Sequence, residues 1–249
     1  MTTLLISDTH LGSEVCRSKE LLKTIRKTYF DRLILLGDIF DGWNFSRLRG
    51  SHWKVMSFIR KASKTKEVIW VAGNHDGSSN ILSHILGVNV YDEYIFEQGG
   101  RKILAIHGHQ FDKFLSNHKV ISDMSSWVYL NIQKYESNNQ KLSRWLKSKS
   151  KSWLRLAHFV ASGAAKYAEK KGVDMVICGH THLAGEMDFG KIKYYNTGCW
   201  TDIPSNFITI PDNGIPVIHT QPEPVHKEEI DFEPYNEAEE INELEAVMV

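Results

Sequence analysis

One pattern recurs along the chain: a short, β-rich apolar run that stops abruptly at Asp, Asn or His. "TLLISDTH" stops at Asp8 and His10, "RLILLGDIFD" at Asp38 and Asp41, and "EVIWVAGNHD" at Asn74, His75 and Asp76. "KILAIHGH" stops at His107 and His109, and "DMVICGHTH" at His180 and His182. Short apolar runs bounded by turn residues predict buried strands, and all five would deliver polar side chains at the strand's C-terminal end. Between the early runs the spacing changes to a helical one. Ser18–Thr28 carries Leu21, Leu22 and Ile25, Ser51–Ala62 carries Trp53, Val55, Met56, Phe58 and Ile59, and Ser79–Leu86 repeats the theme.

Strand alternating with helix predicts an α/β domain. After the fifth run come three further strand candidates with no long helix between them, Lys191–Asn196, Asn206–Ile210 and Pro216–Thr220. That β-rich second half fits a four-layer α/β/β/α sandwich better than a doubly wound sheet. Phe111–Lys171 lacks strand character and interleaves Lys and Arg with aromatic and aliphatic residues, among them Trp127, Trp145, Trp153, Leu154, Leu156 and Phe159. We read 111–171 as a helical insertion or lid inside a domain spanning 1–220; the alternative is the outer helix layer of the sandwich. His52 and His158, on helical stretches, read as surface or capping residues, and Cys178 as core.

Composition adds boundaries. With 249 residues, 42% of them hydrophobic, the chain can bury a sizeable core. No apolar run reaches the roughly 18–20 residues that a bilayer-spanning helix needs, and the N-terminus lacks the charged start and long apolar core of a secretory signal. Three cysteines without CxxC spacing predict neither a disulfide framework nor a thiolate zinc site, which suits a cytoplasmic protein. The formal net charge of zero hides an asymmetry. Residues 111–171 hold twelve Lys and Arg against four Asp and Glu, while 221–249 hold ten Asp and Glu against Lys227 alone. The first segment suits an anionic partner; the second reads as a solvated acidic tail.

The run ends carry the chemistry. Carboxylates and imidazoles without thiolates are a ligand set for Mn²⁺, Fe or Zn²⁺ rather than for Ca²⁺, whose oxygen cage would not use so many histidines. Asp8, His10, Asp38, Asn74, His107, His180 and His182 exceed what one ion needs, since a catalytic zinc-type site takes about three protein ligands. Shared between two ions through one carboxylate, they fit a two-metal centre with the ions roughly 3.5–4 Å apart.

The ordered set Asp8-x-His10, Gly37-Asp38-x-x-Asp41, Gly73-Asn74-His75-Asp76, His107-Gly108-His109 and Gly179-His180-Thr181-His182 resembles the calcineurin-like metallophosphoesterases. The resemblance implies one metal on Asp8, His10, Asp38 and His182 and a second on Asp38, Asn74, His107 and His180. It also implies that His75 protonates the leaving oxygen and that Asp41 orients it, with His109 and Asp76 in supporting positions. "LLISDTHLG", "GDIFDGW", the basic segment and "NTGCW" look most like the UDP-2,3-diacylglucosamine hydrolase group, which works at the inner membrane.

The sugar-nucleotide hydrolases of that group resemble "GNRD" where this chain has Gly73-Asn74-His75-Asp76. Splitting a pyrophosphate expels phosphate, for which an Arg serves by stabilising charge. Splitting an ordinary phosphoester expels an alkoxide, for which a general acid is worth about 10² to 10⁴ in rate. His75 therefore favours a phosphoester. The basic and aromatic insertion favours an amphiphilic anion, such as an acylated sugar nucleotide or another lipid-like phosphorylated substrate, and contact of 111–171 with a membrane surface. A solvated helical face is the plainer alternative for that segment. Basic-plus-aromatic composition keeps nuclease activity open, though no nucleic-acid module is recognisable. A non-enzymatic scaffold would be expected to lose ligands, and here all seven stand.

Overall fold

The computed structural model describes residues 1–76, 83, 87–112 and 150–221. Ser83 aside, the helix expected over Ser79–Leu86 lies outside the described residues, as do 113–149, with Trp127 and Trp145, and the acidic tail from 222 onward. The chain runs β1 (Thr3–Ile6), α1 (Ser18–Lys27), β2 (Arg32–Leu36), α2 (Gly50–Ala62), β3 (Glu67–Val71), β4 (Asn89–Tyr91), β5 (Glu93–Gln98) and β6 (Arg101–Ile106). It continues with α3 (Lys151–Lys171), β7 (Met175–Cys178), β8 (Gly185–Phe189), β9 (Ile192–Asn196), β10 (Ser205–Ile210) and β11 (Val217–Gln221).

The strands form two sheets, in the orders β11-β10-β1-β2-β3-β4 and β5-β6-β7-β9-β8. In the first, β1, β2, β3 and β4 run parallel, and β10 joins β1 antiparallel. In the second, β6, β7 and β9 run parallel, flanked by antiparallel β5 and β8.

Successive side chains of a strand point to opposite faces, so a strand buried on both sides reads as a continuous apolar run. Leu4, Ile6, Leu33, Leu35, Val68 and Trp70 pack outward on Leu21, Ile25, Val55, Met56 and Ile59 of α1 and α2. Their neighbours Leu5, Ile34, Leu36, Ile69 and Val71 face inward and meet Ile103, Ala105, Met175 and Ile177 of the second sheet. The other face of that sheet, Leu104, Ile106, Val176, Cys178 and Tyr194, is covered by Ala161, Ala164, Ala165 and Ala168 of α3. The order is helix, sheet, sheet, helix, as expected.

Two readings change. Residues 151–171 of the expected insertion form α3, whose alanine stripe lies against the second sheet as an outer layer of the sandwich. Trp53, counted among the apolar positions of its helix, is 54% exposed on the solvent side of α2. His52 is buried and caps that helix, its Nδ1 accepting the Arg49 N–H at 3.1 Å. Strands β4, β5 and β8 were not read from the sequence, because their partly exposed positions break the apolar runs.

Packing of α3 can be checked directly. Ala164 is fully buried, so Ala164→Leu should overpack the contact and lower unfolding free energy by about 1–3 kcal/mol in urea titrations. Lys166→Leu, on the exposed face two residues away, should stay within about 0.5 kcal/mol of the parent.

Candidate metal centre

Every predicted ligand lies one to four residues beyond the end of a strand, and the parallel pairing of β1, β2 and β3, and of β6 and β7, brings those C-terminal ends together. The loops after β1 and β2 are zipped side by side: Asp8, His10 and Leu11 N–H groups donate to Gly37, Asp38 and Ile39 carbonyls at 3.0, 3.0 and 2.8 Å. The two sheets meet across the site. Asp38 Oδ2 of the first sheet lies 3.3 Å from His107 Nε2 of the second, and Asp8 Oδ1 lies 3.1 Å from His182 Nε2.

Three overlapping groups result, each offering ligand atoms within 4.8 Å of one another: Asp8, His10 and His182; His10, Asp38 and His75; Asp38, His107 and His180. The first and third follow the two expected ligand sets, with Asp38 in the third and 4.0 Å from His10. Asn74 is exposed on the loop beside His75.

The backbone is bent to achieve this. Asp8, His10, Asp38, His180 and His182 are the non-glycine residues with positive φ among the described residues, at +50°, +44°, +52°, +67° and +54°. Left-handed conformations at non-glycine residues cost of order 1–3 kcal/mol each and cluster at functional sites. Glycines clear the space. A Cβ on Gly37, whose φ is +81°, would lie 2.2 Å from His107 Nδ1, and one on Gly179 would lie 2.4 Å from Asp8 Oδ2.

His107 shows how a ring is aimed. Its Nδ1 sits 2.9 Å from the Leu36 carbonyl, a bond in which the ring nitrogen must donate. Nε2 then faces Asp38 Oδ2 at 3.3 Å inside the protein, where a proton or a cation can sit between them. His10 Nδ1 is buried without a hydrogen-bond partner. Burial opposes charge on Asp38, but His107, His10 and His75 together hold its carboxyl well below the usual range. Burial also disfavours the charged form of His107, yet Asp38 outweighs it and raises the ring to about 9. Ionised carboxylates with imidazole nitrogens gathered around them inside the protein are the donor set a divalent cation would satisfy, in place of the proton that Asp38 draws onto His107; the residues present fit a metal.

The remaining predicted residues divide. The His75 side chain is 44% exposed, its Nε2 4.0 Å from Asp38 Oδ2 and its N–H donating to Asp38 Oδ1 at 2.9 Å. Its ring meets that of His10 edge-on, with centroids 5.1 Å apart. Asp41 lies 3.6 Å from His10 Nδ1 and 2.7 Å from Arg47 Nη1. Partial burial would raise Asp41, but His10, Arg47 and His75 lower it. His109 lies beside His107 and His180, with ring centroids 5.5 and 6.3 Å away; burial and those neighbours push it to about 4.

Three further residues support the site: Asp76, expected in a supporting position, and Asn196 and Asp112, which the sequence reading did not single out. The buried Asp76 carboxylate accepts N–H groups of Ile39 (2.7 Å), Phe40 (3.0 Å) and Gly73 (3.0 Å) and the Trp70 indole (3.2 Å), joining the loops after β2 and β3. Asn196 Nδ2 donates to the Gly179 carbonyl at 2.6 Å and to Thr181 Oγ1 at 3.1 Å, clamping the loop after β7. Asp112 Oδ2 lies 3.1 Å from His180 Nε2. The "NTG" stretch and the Asp following "HGHQF" were visible signals for the last two.

A two-sheet sandwich that gathers buried carboxylates and imidazoles at its strand ends defines a metal-dependent phosphoesterase. A profile of the calcineurin-like phosphoesterases matches residues 1–184, and the chain belongs to that family. Among solved structures, YfcE, a phosphoesterase from E. coli, has 18% identity over 85% of this chain and 89% of its own, with a TM-score of 0.48. An archaeal phosphodiesterase has 16% identity over 88% and 99%, with a TM-score of 0.46. Zinc-complexed Vps29 from Entamoeba histolytica has 17% over 88% and 92%, with a TM-score of 0.48. No curated protein matches the sequence. Among the described residues no helix is long and apolar enough to cross a membrane.

Two measurements follow from the site. Adding Mn²⁺ to chelator-treated protein should raise its melting temperature, the stabilisation reaching about 2.7 kcal/mol at a hundredfold excess over Kd. Asp38→Ala should abolish that shift. Asp76→Asn should cost about 1–3 kcal/mol in urea unfolding, because the new amide turns a donor toward N–H groups that now have an acceptor.

Proposed function

We propose that the protein hydrolyses a phosphoester with the help of two divalent metal ions, Mn²⁺ first among them and Fe or Zn²⁺ as substitutes. Asp8, His10, Asp38 and His182 would hold one, and Asp38, Asn74, His107 and His180 the other. When bound, the ions lower the pKa of water and neutralise charge at the phosphoryl group.

The observation that carries the reading is the contrast between His75 and the other imidazoles. His107 is fully buried, and His10 and His180 nearly so, whereas the His75 side chain is 44% exposed at the edge of the same cluster. A ring there can reach a bound substrate, hydrogen-bond its phosphoryl group and give a proton to the departing oxygen. Asp38 supports this by anchoring the His75 backbone and by placing negative charge 4.0 Å from its Nε2. Asp41 contributes charge from the His10 side.

A second reading, cleavage of the pyrophosphate in an acylated sugar nucleotide such as UDP-2,3-diacylglucosamine, is favoured by α3. Leu154 and Phe159 are 46% and 51% exposed there, near exposed Arg155, and the neighbouring Trp153 donates its indole N–H to the Thr181 carbonyl at 3.1 Å. An apolar and basic surface beginning beside the ligand loop suits a lipid-like anion, or a cytoplasmic enzyme resting on a membrane.

Turnover with Mn²⁺ on UDP-2,3-diacylglucosamine, aryl phosphodiesters, phosphomonoesters and single-stranded DNA tests both readings. Phosphodiester or phosphomonoester turnover is expected; activity confined to the sugar nucleotide establishes the second reading instead, and activity confined to DNA makes the protein a nuclease. His75→Ala should lower kcat about 10² to 10⁴-fold on esters with alkoxide leaving groups and far less on activated aryl esters. Equal losses on both kinds of ester would remove His75 as the acid.

A further inference from the structure

We infer that Asp112 is a positioning residue that fixes the tautomer of His180 and so presents its Nδ1 to the second metal; this rests on the two-metal reading above. The side chains are 2% and 9% exposed, so their 3.1 Å contact is shielded from water. A carboxylate oxygen only accepts, so the proton between them belongs to His180 Nε2, and the lone pair falls on Nδ1. Asp112 lies outside the group of Asp38, His107 and His180 atoms that face one another. It therefore stands behind the ligand, where a carboxylate orients the ring and raises its basicity.

The structure places Asp112 independently of His180. It ends the tight turn His109–Phe111, which is pinned to α3 by Phe111: the ring lies tilted against that of Tyr167, with centroids 5.7 Å apart, and Gly163 is bare where a Cβ would lie 2.9 Å from Phe111 Cβ. The next residue of the ligand loop is held from the same helix, by the Trp153 indole on the Thr181 carbonyl. His180 and Thr181 are thus gripped from residues on either side of the interval 113–149. His180 has a φ of +67°, a left-handed conformation that persists only where surrounding contacts hold it.

The test uses the full chain. Long-range ¹H–¹⁵N spectra of metal-free protein, with His180 assigned through His180→Gln, should show the Nε2–H form, and Asp112→Ala should lose that preference. Calorimetry with Mn²⁺ should show two binding events in the parent, one of them weakened 10- to 100-fold in Asp112→Ala and less in the shape-preserving Asp112→Asn. The other event should be unchanged, while loss of the buried acceptor lowers the metal-free melting temperature in Asp112→Ala. An Nδ1–H form of His180 in the parent overturns the inference. So does unchanged affinity at both events in Asp112→Ala, or an equal loss at both. If the parent binds fewer than two Mn²⁺, the two-metal reading fails instead, and Asp112 is then decided by the tautomer alone.

Discussion

The buried Asp38 carboxylate is the constraint around which the site is organised. A charge taken out of water costs several kcal/mol unless it is matched in place. Here the match comes from three directions: the His75 N–H at 2.9 Å, His107 Nε2 at 3.3 Å from the opposite sheet, and His10 at 4.0 Å from the neighbouring loop. Each partner must be delivered to one point by a different strand, which demands the parallel pairing of β1, β2 and β3 and the close approach of β6. Removing any of these supports leaves either a stranded carboxylate or a stranded imidazole inside the protein.

Convergence of that kind sets one physical preference against another. Five of the gathered residues sit in left-handed backbone, each at some energetic cost, and Nδ1 of His10 and Nδ1 of His109 are buried without hydrogen-bond partners. A fold selected for stability alone would relax both. What holds them is apolar packing on both faces of both sheets, where Leu5, Ile34, Leu36, Ala105 and Ile177 are completely excluded from water. Asp76 adds a polar brace by tying the β2 and β3 loops through four donors, so the strain is shared between core and loop.

Legibility in the sequence followed range. The five runs ending in Asp or His were readable because a strand buried on both faces has no polar position until it ends, so the first polar residues mark the strand end and the site together. The alternation that assigns Leu4 and Leu5 to different cores is invisible in such a run, since both are leucine. Strand β8 alternates Met187 and Phe189 with Glu186 and Asp188, a two-residue period rather than an apolar run. In α3 the conspicuous Trp and Lys residues suggested a lid, whereas the decisive signal was the quiet stripe Ala161, Ala164, Ala165 and Ala168, whose small side chains let the helix lie close on the second sheet. Asp112 and Asn196 escaped because their meaning lies in contacts with a loop 15 to 68 residues away.

Burial also separates what the centre does from what it acts on. The Asp8, Asp38 and His107 side chains are at most 3% exposed, so a substrate cannot touch most of their surface, and they suit the holding of a cation rather than contact with substrate. Substrate preference must then come from the polar groups at the rim. Those include His75, at 44% exposure, and Arg47, whose guanidinium is half exposed while paired with Asp41. Arg47 can exchange its carboxylate for an anionic substrate at little desolvation cost, because both groups already meet solvent.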